Sequence, residues 1–131
     1  MHNEVPRILF VESDSLLSEV TAFRLELLGY EVAAVSSGEE ALELMEARLP
    51  DVAIVDLVLP GITGIELIER ITLDQRTAEV AVMALSIEAD IDAVQRAYNA
   101  GARDYLVAPY DPATLEAKVE TLLEQRPTGR I

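Results

Sequence analysis

The chain has 131 residues and carries 24 Asp and Glu against 10 Lys and Arg, a formal net charge of -14, with 50% hydrophobic residues. That length and apolar content fit one compact domain with a core and exclude a disordered acidic tail. The lack of cysteine excludes disulfides and thiolate sites, the lone His2 excludes a Ser-His-Asp triad or a multi-histidine metal centre, and the acidity excludes a polyphosphate held by bulk electrostatics.

Short apolar runs alternate with amphipathic stretches. Arg7-Ile-Leu-Phe-Val11 predicts a first strand, ended by Glu12-Ser13-Asp14. Leu16 to Leu28 predicts a helix, with Leu16, Val20, Phe23 and Leu27 at helical spacing and Gly29 as its stop. Glu31 to Val35 is the second strand. Ser37 and Glu40 have capping-box spacing, each able to satisfy the other's free amide, and open a helix carrying Ala41, Leu42, Leu44 and Met45 that ends before Pro50. Val52 to Val55 is a third strand closed by Asp56. The loop Leu57-Val-Leu-Pro-Gly61 leads to a short helix from about Gly64, with Ile65, Ile68 and Ile71 inward. Val80 to Leu85 is a fourth strand closed by Ser86; Ile91, Val94 and Tyr98 mark the next helix, stopped by Gly101. Tyr105-Leu-Val107 is the fifth strand. Asp111-Pro112 is an N-cap followed by Pro at the first helical position, and Leu115, Val119, Leu122 and Leu123 form the last apolar stripe. Gln125 to Ile131 is expected to fray.

Five strand-helix pairs predict a parallel sheet with helices on both faces, and the nearly continuous apolar strands fit burial on both sides. Ligands of such sheets bind beyond the carboxyl ends of the strands. Three strands deliver an acid or a hydroxyl there: Glu12-Ser13-Asp14, Asp56 and Ser86. If the strand order is 2-1-3-4-5, strands one and three are neighbours and Glu12, Ser13 and Asp56 converge. Clustered carboxylates are hard oxygen ligands suited to Mg²⁺ or Mn²⁺, which would let a phosphate donor approach them. An Asp beside such an ion can act as a nucleophile and form an aspartyl phosphate. A flavin mononucleotide site would instead need a Thr-, Ser- and Gly-rich phosphate loop after the first strand, where these acids repel.

The phrases Ile8-Leu-Phe-Val-Glu-Ser-Asp14, Gly29-Tyr-Glu-Val32, Ser37-Gly-Glu-Glu-Ala-Leu42, Asp51-Val-Ala-Ile-Val-Asp-Leu-Val-Leu-Pro-Gly61, Gly101-Ala-Arg-Asp-Tyr-Leu106 and Pro109-Tyr-Asp-Pro112 stand in an order and spacing that resembles a response-regulator receiver domain. The resemblance spans Arg7 to about Glu124. It implies a CheY-like, flavodoxin-like fold, with residues 1–125 as the receiver and 126–131 as a tail.

Position by position, the resemblance makes Asp56 the phosphoacceptor, where the plainer reading is an Asp that closes a strand and starts a turn. Val58 offers its backbone carbonyl to the metal. Glu12 and Ser13 match the acidic metal-binding pair, but Ser13 stands where an Asp is the usual ligand, and a neutral hydroxyl binds Mg²⁺ more weakly. Asp14 either compensates for Ser13 or caps the first helix. Ser86 matches the hydroxyl that bonds the phosphoryl group, or is a strand-end serine in a turn. Tyr105 matches the aromatic switch, or is an ordinary half-buried strand tyrosine.

The sharpest departure is Ala108, which stands where the family places a lysine immediately before the proline. Lys118, the only lysine, is expected on the polar side of the last helix, and an arginine such as Arg103 would have to reach in instead. The Ala108-Pro109 bond is expected to be cis, as its counterpart in the family is.

Three functions follow. The first is a phosphoacceptor charged at Asp56 by a histidine kinase or phosphotransfer protein with Mg²⁺ or Mn²⁺, bound with reduced affinity. It would report to an output protein at the face of helix four, strand five and helix five. The second is a degenerate receiver, a protein-interaction module independent of phosphorylation, motivated by Ser13 and Ala108. The third, an enzyme, is disfavoured: there is no phosphate loop, no catalytic His or Cys and no DxD after strand one. The expected location is the cytoplasm, with no direct nucleic-acid or membrane contact. Homodimerisation stays open, as does whether the chain is a stand-alone regulator or a piece of a longer protein.

Overall fold

A computed structural model describes residues 4–125; His2 and the expected fraying tail past Gln125 lie outside the described residues. The elements alternate strictly: β1 (Arg7–Val11), α1 (Ser15–Leu27), β2 (Glu31–Val35), α2 (Gly38–Ala47), β3 (Val52–Asp56), α3 (Gly64–Leu73), β4 (Ala81–Ser86), α4 (Ile91–Ala100), β5 (Asp104–Val107) and α5 (Pro112–Glu124). The five strands form one parallel sheet in the order β2-β1-β3-β4-β5, the order that the resemblance implies. Val11 lies opposite Val55, and Asp56 opposite Leu85. The residues that follow β1 and end β3 and β4 therefore share one rim.

The alternation of side chains along each strand builds two cores, one on each face. Leu9, Val11, Ala53, Val55, Val82 and Ala84 pack against Ala41 and Met45 of α2, Leu67, Ile68 and Ile71 of α3, and Ala97 of α4. Ile8, Phe10, Val52, Ile54, Met83 and Leu106 point the other way, onto Leu25 of α1 and Leu115, Val119 and Leu122 of α5. Truncating a buried residue such as Phe10 to Ala should destabilise by about 3–5 kcal/mol.

Each helix starts at a side chain that accepts a backbone amide of its first turn: Asp14, Ser37, Thr63, Asp90 and Asp111. Such caps contribute roughly 1 kcal/mol each. The reciprocal box expected of Ser37 and Glu40 is only half made. Ser37 Oγ accepts from the Glu40 amide at 3.2 Å, but the Glu40 carboxylate accepts from the Ser36 amide at 2.9 Å and the Ser36 hydroxyl at 3.1 Å. The complete box is at α3. There Thr63 Oγ1 accepts from the Glu66 amide at 3.1 Å, and Glu66 accepts from the Thr63 amide at 2.9 Å.

The apolar repeat that marks α1 in the sequence does not face the core. Leu16, Val20, Phe23 and Leu27 are 69%, 50%, 62% and 70% exposed, while Thr21 and Leu25 are buried. The inward position of Thr21 is stabilised by a hydrogen bond between its hydroxyl and that of Tyr110. Ile91 and Tyr98 of α4 are likewise exposed, and the buried face of that helix is Ala93, Ala97 and Ala100.

Candidate functional site at the carboxyl rim of the sheet

Glu12 leaves the end of β1 and is only 4% exposed. Its amide donates to the Val35 carbonyl at 3.0 Å, which extends the β1–β2 ladder by one rung and fixes its direction. Its Oε2 accepts from the Asp14 amide at 3.0 Å, whereas Oε1 is buried with no hydrogen-bond partner. Burial raises the Glu12 carboxyl to about 7. The Asp14 amide opposes that shift, and the facing Asp56 carboxylate and the charge of Asp14 add to it. An acid that holds a proton near neutral pH beside a second acid is the signature of charge without a counter-ion.

Asp56 ends β3, half-buried, and its Oδ1 accepts from the Val58 amide at 2.9 Å. Val58 itself is 73% exposed. The loop beyond is held tightly. A Cβ on Gly64 would stand 2.3 Å from the Asp56 carbonyl oxygen, so only glycine lets α3 start against the end of β3. The Ile62 amide donates to Glu39 at 3.1 Å, which ties the same loop to α2.

Ser13 and Asp14 are exposed. The Asp14 carboxylate accepts from the Leu17 amide at 3.0 Å and so is engaged as the cap of α1. Among the described residues, no group of three or more Asp, Glu, His or Cys side chains gathers where it could hold a metal ion. The donor set at the rim is thus the Glu12–Asp56 pair, the orphaned Glu12 oxygen and nearby backbone. That set fits one hard divalent cation completed by water, with one carboxylate fewer than a three-acid site would give.

On the far side of Asp56, Ser86 and Tyr105 meet at a residue the sequence did not single out. Ser86 Oγ accepts from the Glu88 amide at 3.0 Å, and Tyr105 Oη donates to the Glu88 carbonyl at 2.8 Å. Both side chains are buried. The β4–α4 loop is therefore clamped at one residue, through the two peptide groups that flank it, from the two positions expected to act as switches. No sequence signal marks Glu88, because it is recognised through its backbone.

Ala108 packs beside the α1–α5 core, its amide donates to the Ser86 carbonyl at 2.8 Å, and the Ala108-Pro109 bond is cis as expected. No ion pair among the described residues involves Glu12 or Asp56. Lys118 pairs with Asp104 at 2.9 Å, at the start of β5 and the opposite end of the sheet. The suggestion that Arg103 reaches the rim is corrected by the same topology. Its amide donates to the Val82 carbonyl, at the beginning of β4. A strand of this length separates it from the rim by about 13 Å.

Comparison with known proteins places the fold in a family. The family model of the response regulator receiver domain matches residues 8–120. The transcriptional regulatory protein CseB of Streptomyces avermitilis is 38% identical over 122 residues, covering 93% of this chain and 51% of the relative. The chain thus spans about half the length of the curated relatives it matches. The chemotaxis response regulator CheY4 of Vibrio cholerae superposes with a TM-score of 0.87 at 26% identity, over 92% of this chain and 100% of that one. The receiver domain of sensor histidine kinase PA1611 from Pseudomonas aeruginosa, solved with a magnesium ion coordinated in its active-site cleft, gives 0.86 at 26% identity, over 93% and 100%. Fold and sequence agree that the chain belongs to the response-regulator receiver family of two-component signalling.

Proposed function

We propose that Asp56 accepts a phosphoryl group from a histidine kinase or phosphotransfer protein, within a single receiver unit ending near residue 125. The observation that carries this is the partly exposed Asp56 carboxylate beside the buried Glu12 carboxyl, one oxygen of which has no hydrogen-bond partner. The Val58 amide holds Oδ1, which leaves Oδ2 to attack phosphorus. The new O–P bond makes an acyl phosphate as the P–N bond to the donor imidazole breaks, and that ring leaves carrying a proton. A Mg²⁺ or Mn²⁺ ion, when bound by Glu12, Asp56 and the Val58 carbonyl, would neutralise charge on the transferring group. Ser13 supplies a hydroxyl where a third carboxylate would strengthen that site, so weakened metal affinity belongs to the proposal. Glu12 brings an oxygen without a hydrogen-bond partner to the rim, and Ser86, whose Oγ accepts from the Glu88 amide, keeps its hydroxyl proton to donate.

Phosphorylation adds about -1.5 to -2 charge at a place where, among the described residues, no cation pairs with Glu12 or Asp56. Releasing Ser86 from Glu88 frees one half of the clamp on the β4–α4 loop, and Tyr105 holds the other half. That coupling supports an output surface at α4, β5 and α5. The protein is then a phosphoacceptor rather than an enzyme acting on outside substrates, with self-catalysed transfer and hydrolysis at most. No described helix is long and apolar enough to cross a membrane, which is compatible with the cytoplasmic placement we infer.

The missing cation and the two-carboxylate donor set favour a second reading, a receiver that binds partners without phosphorylation. The two separate cleanly. Incubation with Mg²⁺ and a small phosphodonor should yield a base-labile adduct by mass spectrometry, absent in Asp56→Asn. No adduct, together with no Mg²⁺ binding at millimolar concentration, would replace the first reading by the second.

A further inference from the structure

We propose that the outward face of α1 is a self-association surface, on which two copies of this chain pack their α1 helices in parallel about a two-fold axis. Leu16, Val20, Phe23 and Leu27 are each at least 50% exposed and follow one another at intervals of four, three and four residues. That is the a/d seam of a coiled coil, narrower than the stripe a helix needs to sit on a sheet. The sheet-facing side of α1 is a different set, Thr21 and Leu25, so the seam is surplus to the fold.

The area and the charges select the occupant. Four large side chains exposed to this degree present on the order of 500 Å² of apolar surface, near the upper end for a monomer. Two such faces bury about 1,000 Å² together, enough for a weak specific dimer. Beside the seam, Glu19 lies at a g position and Arg24 at the e position five residues on. Both are exposed, and neither enters an ion pair among the described residues. In a parallel in-register pair, Glu19 of each copy meets Arg24 of the other, twice by symmetry. An antiparallel pair would bring Glu19 of one copy against Glu26 of the other. The charge pattern thus specifies a second copy of this chain and its direction.

The test needs neither metal nor phosphodonor, so its outcome is independent of the phosphoacceptor reading. Sedimentation equilibrium from micromolar to millimolar concentration should show a reversible monomer–dimer equilibrium. Phe23→Glu should raise the dissociation constant about tenfold or more while leaving thermal unfolding nearly unchanged. Glu19→Arg and Arg24→Glu should each weaken the dimer, and the two together should restore it. Because the chain has no cysteine, Val20→Cys gives an unambiguous probe, which should oxidise to a disulfide-linked dimer. A strictly monomeric chain would overturn the proposal and leave the seam to a helix of another protein. A dimer indifferent to Phe23→Glu would overturn it in favour of another face, and a charge swap without rescue would overturn the parallel arrangement.

Discussion

The two ends of the sheet carry opposite electrostatic arrangements. At the amino end, charges are matched: Arg7 and Arg48 share the Glu31 carboxylate at 3.2 and 3.3 Å, and Lys118 meets Asp104 at 2.9 Å. At the carboxyl rim, Glu12 and Asp56 face each other with no ion pair to either among the described residues, and one Glu12 oxygen is buried without a partner. The first end is compensated within the fold and is structural. The second is left incomplete, which is tolerable only where something from outside completes it. The sole lysine of the chain sits at the wrong end to do so.

The strongest way to break this contrast is to move matched charge to the rim. Ser13→Asp with Ala108→Lys adds a ligand carboxylate beside Glu12 and an ammonium beside Asp56. Removal of one preorganised electrostatic group from a transfer site typically costs about 10²-fold in rate. The double variant should therefore gain roughly that factor in phosphorylation by a small donor, and it should bind Mg²⁺ more tightly. Time courses of adduct formation and Mg²⁺ titrations read both. Unchanged values would show that the rim is not limited by charge.

A smaller effect comes from Glu12 itself. Its carboxyl titrates near 7 in the fold against 4.5 when unfolded. Below 4.5 it is protonated in both states and burial costs nothing. Between 4.5 and 7 the folded protein holds a proton that the unfolded chain has released, so stability falls as pH rises and levels off above 7. A shift of this size corresponds to roughly 3–4 kcal/mol, and solvent at the rim reduces it to on the order of 2–3 kcal/mol. Glu12→Gln removes the ionisation but keeps the shape, so denaturant unfolding should show the variant gaining on the parent from pH 4.5 to 7. Parallel curves would mean that the carboxyl is not strained.

Between these effects lies the lesson of what the sequence reveals. The strands and their rim were legible, because buried parallel strands are continuous apolar runs and the polar residues that close them must share an edge; the lateral order of the strands came from the resemblance to the receiver family. Of the residues expected to converge, Glu12 and Asp56 do face each other, Ser13 is exposed, and Ser86 and Tyr105 meet instead at Glu88. The facing of α1 was not legible. The repeat of Leu16, Val20, Phe23 and Leu27 is more apolar than the true inner face, and Thr21 is turned inward by a hydrogen bond to Tyr110, 89 residues away. The partner of Glu40 was equally hidden, since Ser36 and Ser37 offer the same donors and only geometry chooses between them. The clamp at Glu88 is a backbone interaction, which no side-chain pattern can announce.

Tyr105→Phe sharpens the rim side of the comparison. It deletes the bond to the Glu88 carbonyl while keeping the buried ring, so it should cost about 1 kcal/mol and loosen the β4–α4 loop. Faster amide exchange near Glu88, without change in β1 or β3, would register it.

The smallest effect belongs to the matched end. Lys118 and Asp104 are 30% and 24% exposed, so water screens their pairing. Lys118→Met should cost no more than about 1 kcal/mol, and that loss should shrink as salt is added. Moving the ammonium makes the comparison complete. If Lys118→Met combined with Ala108→Lys accelerates phosphorylation as much as Ala108→Lys alone, position rather than total charge governs the rim. If the combined variant reverts to the parent rate, the net charge of the whole domain, not its distribution between the two ends, sets reactivity at Asp56.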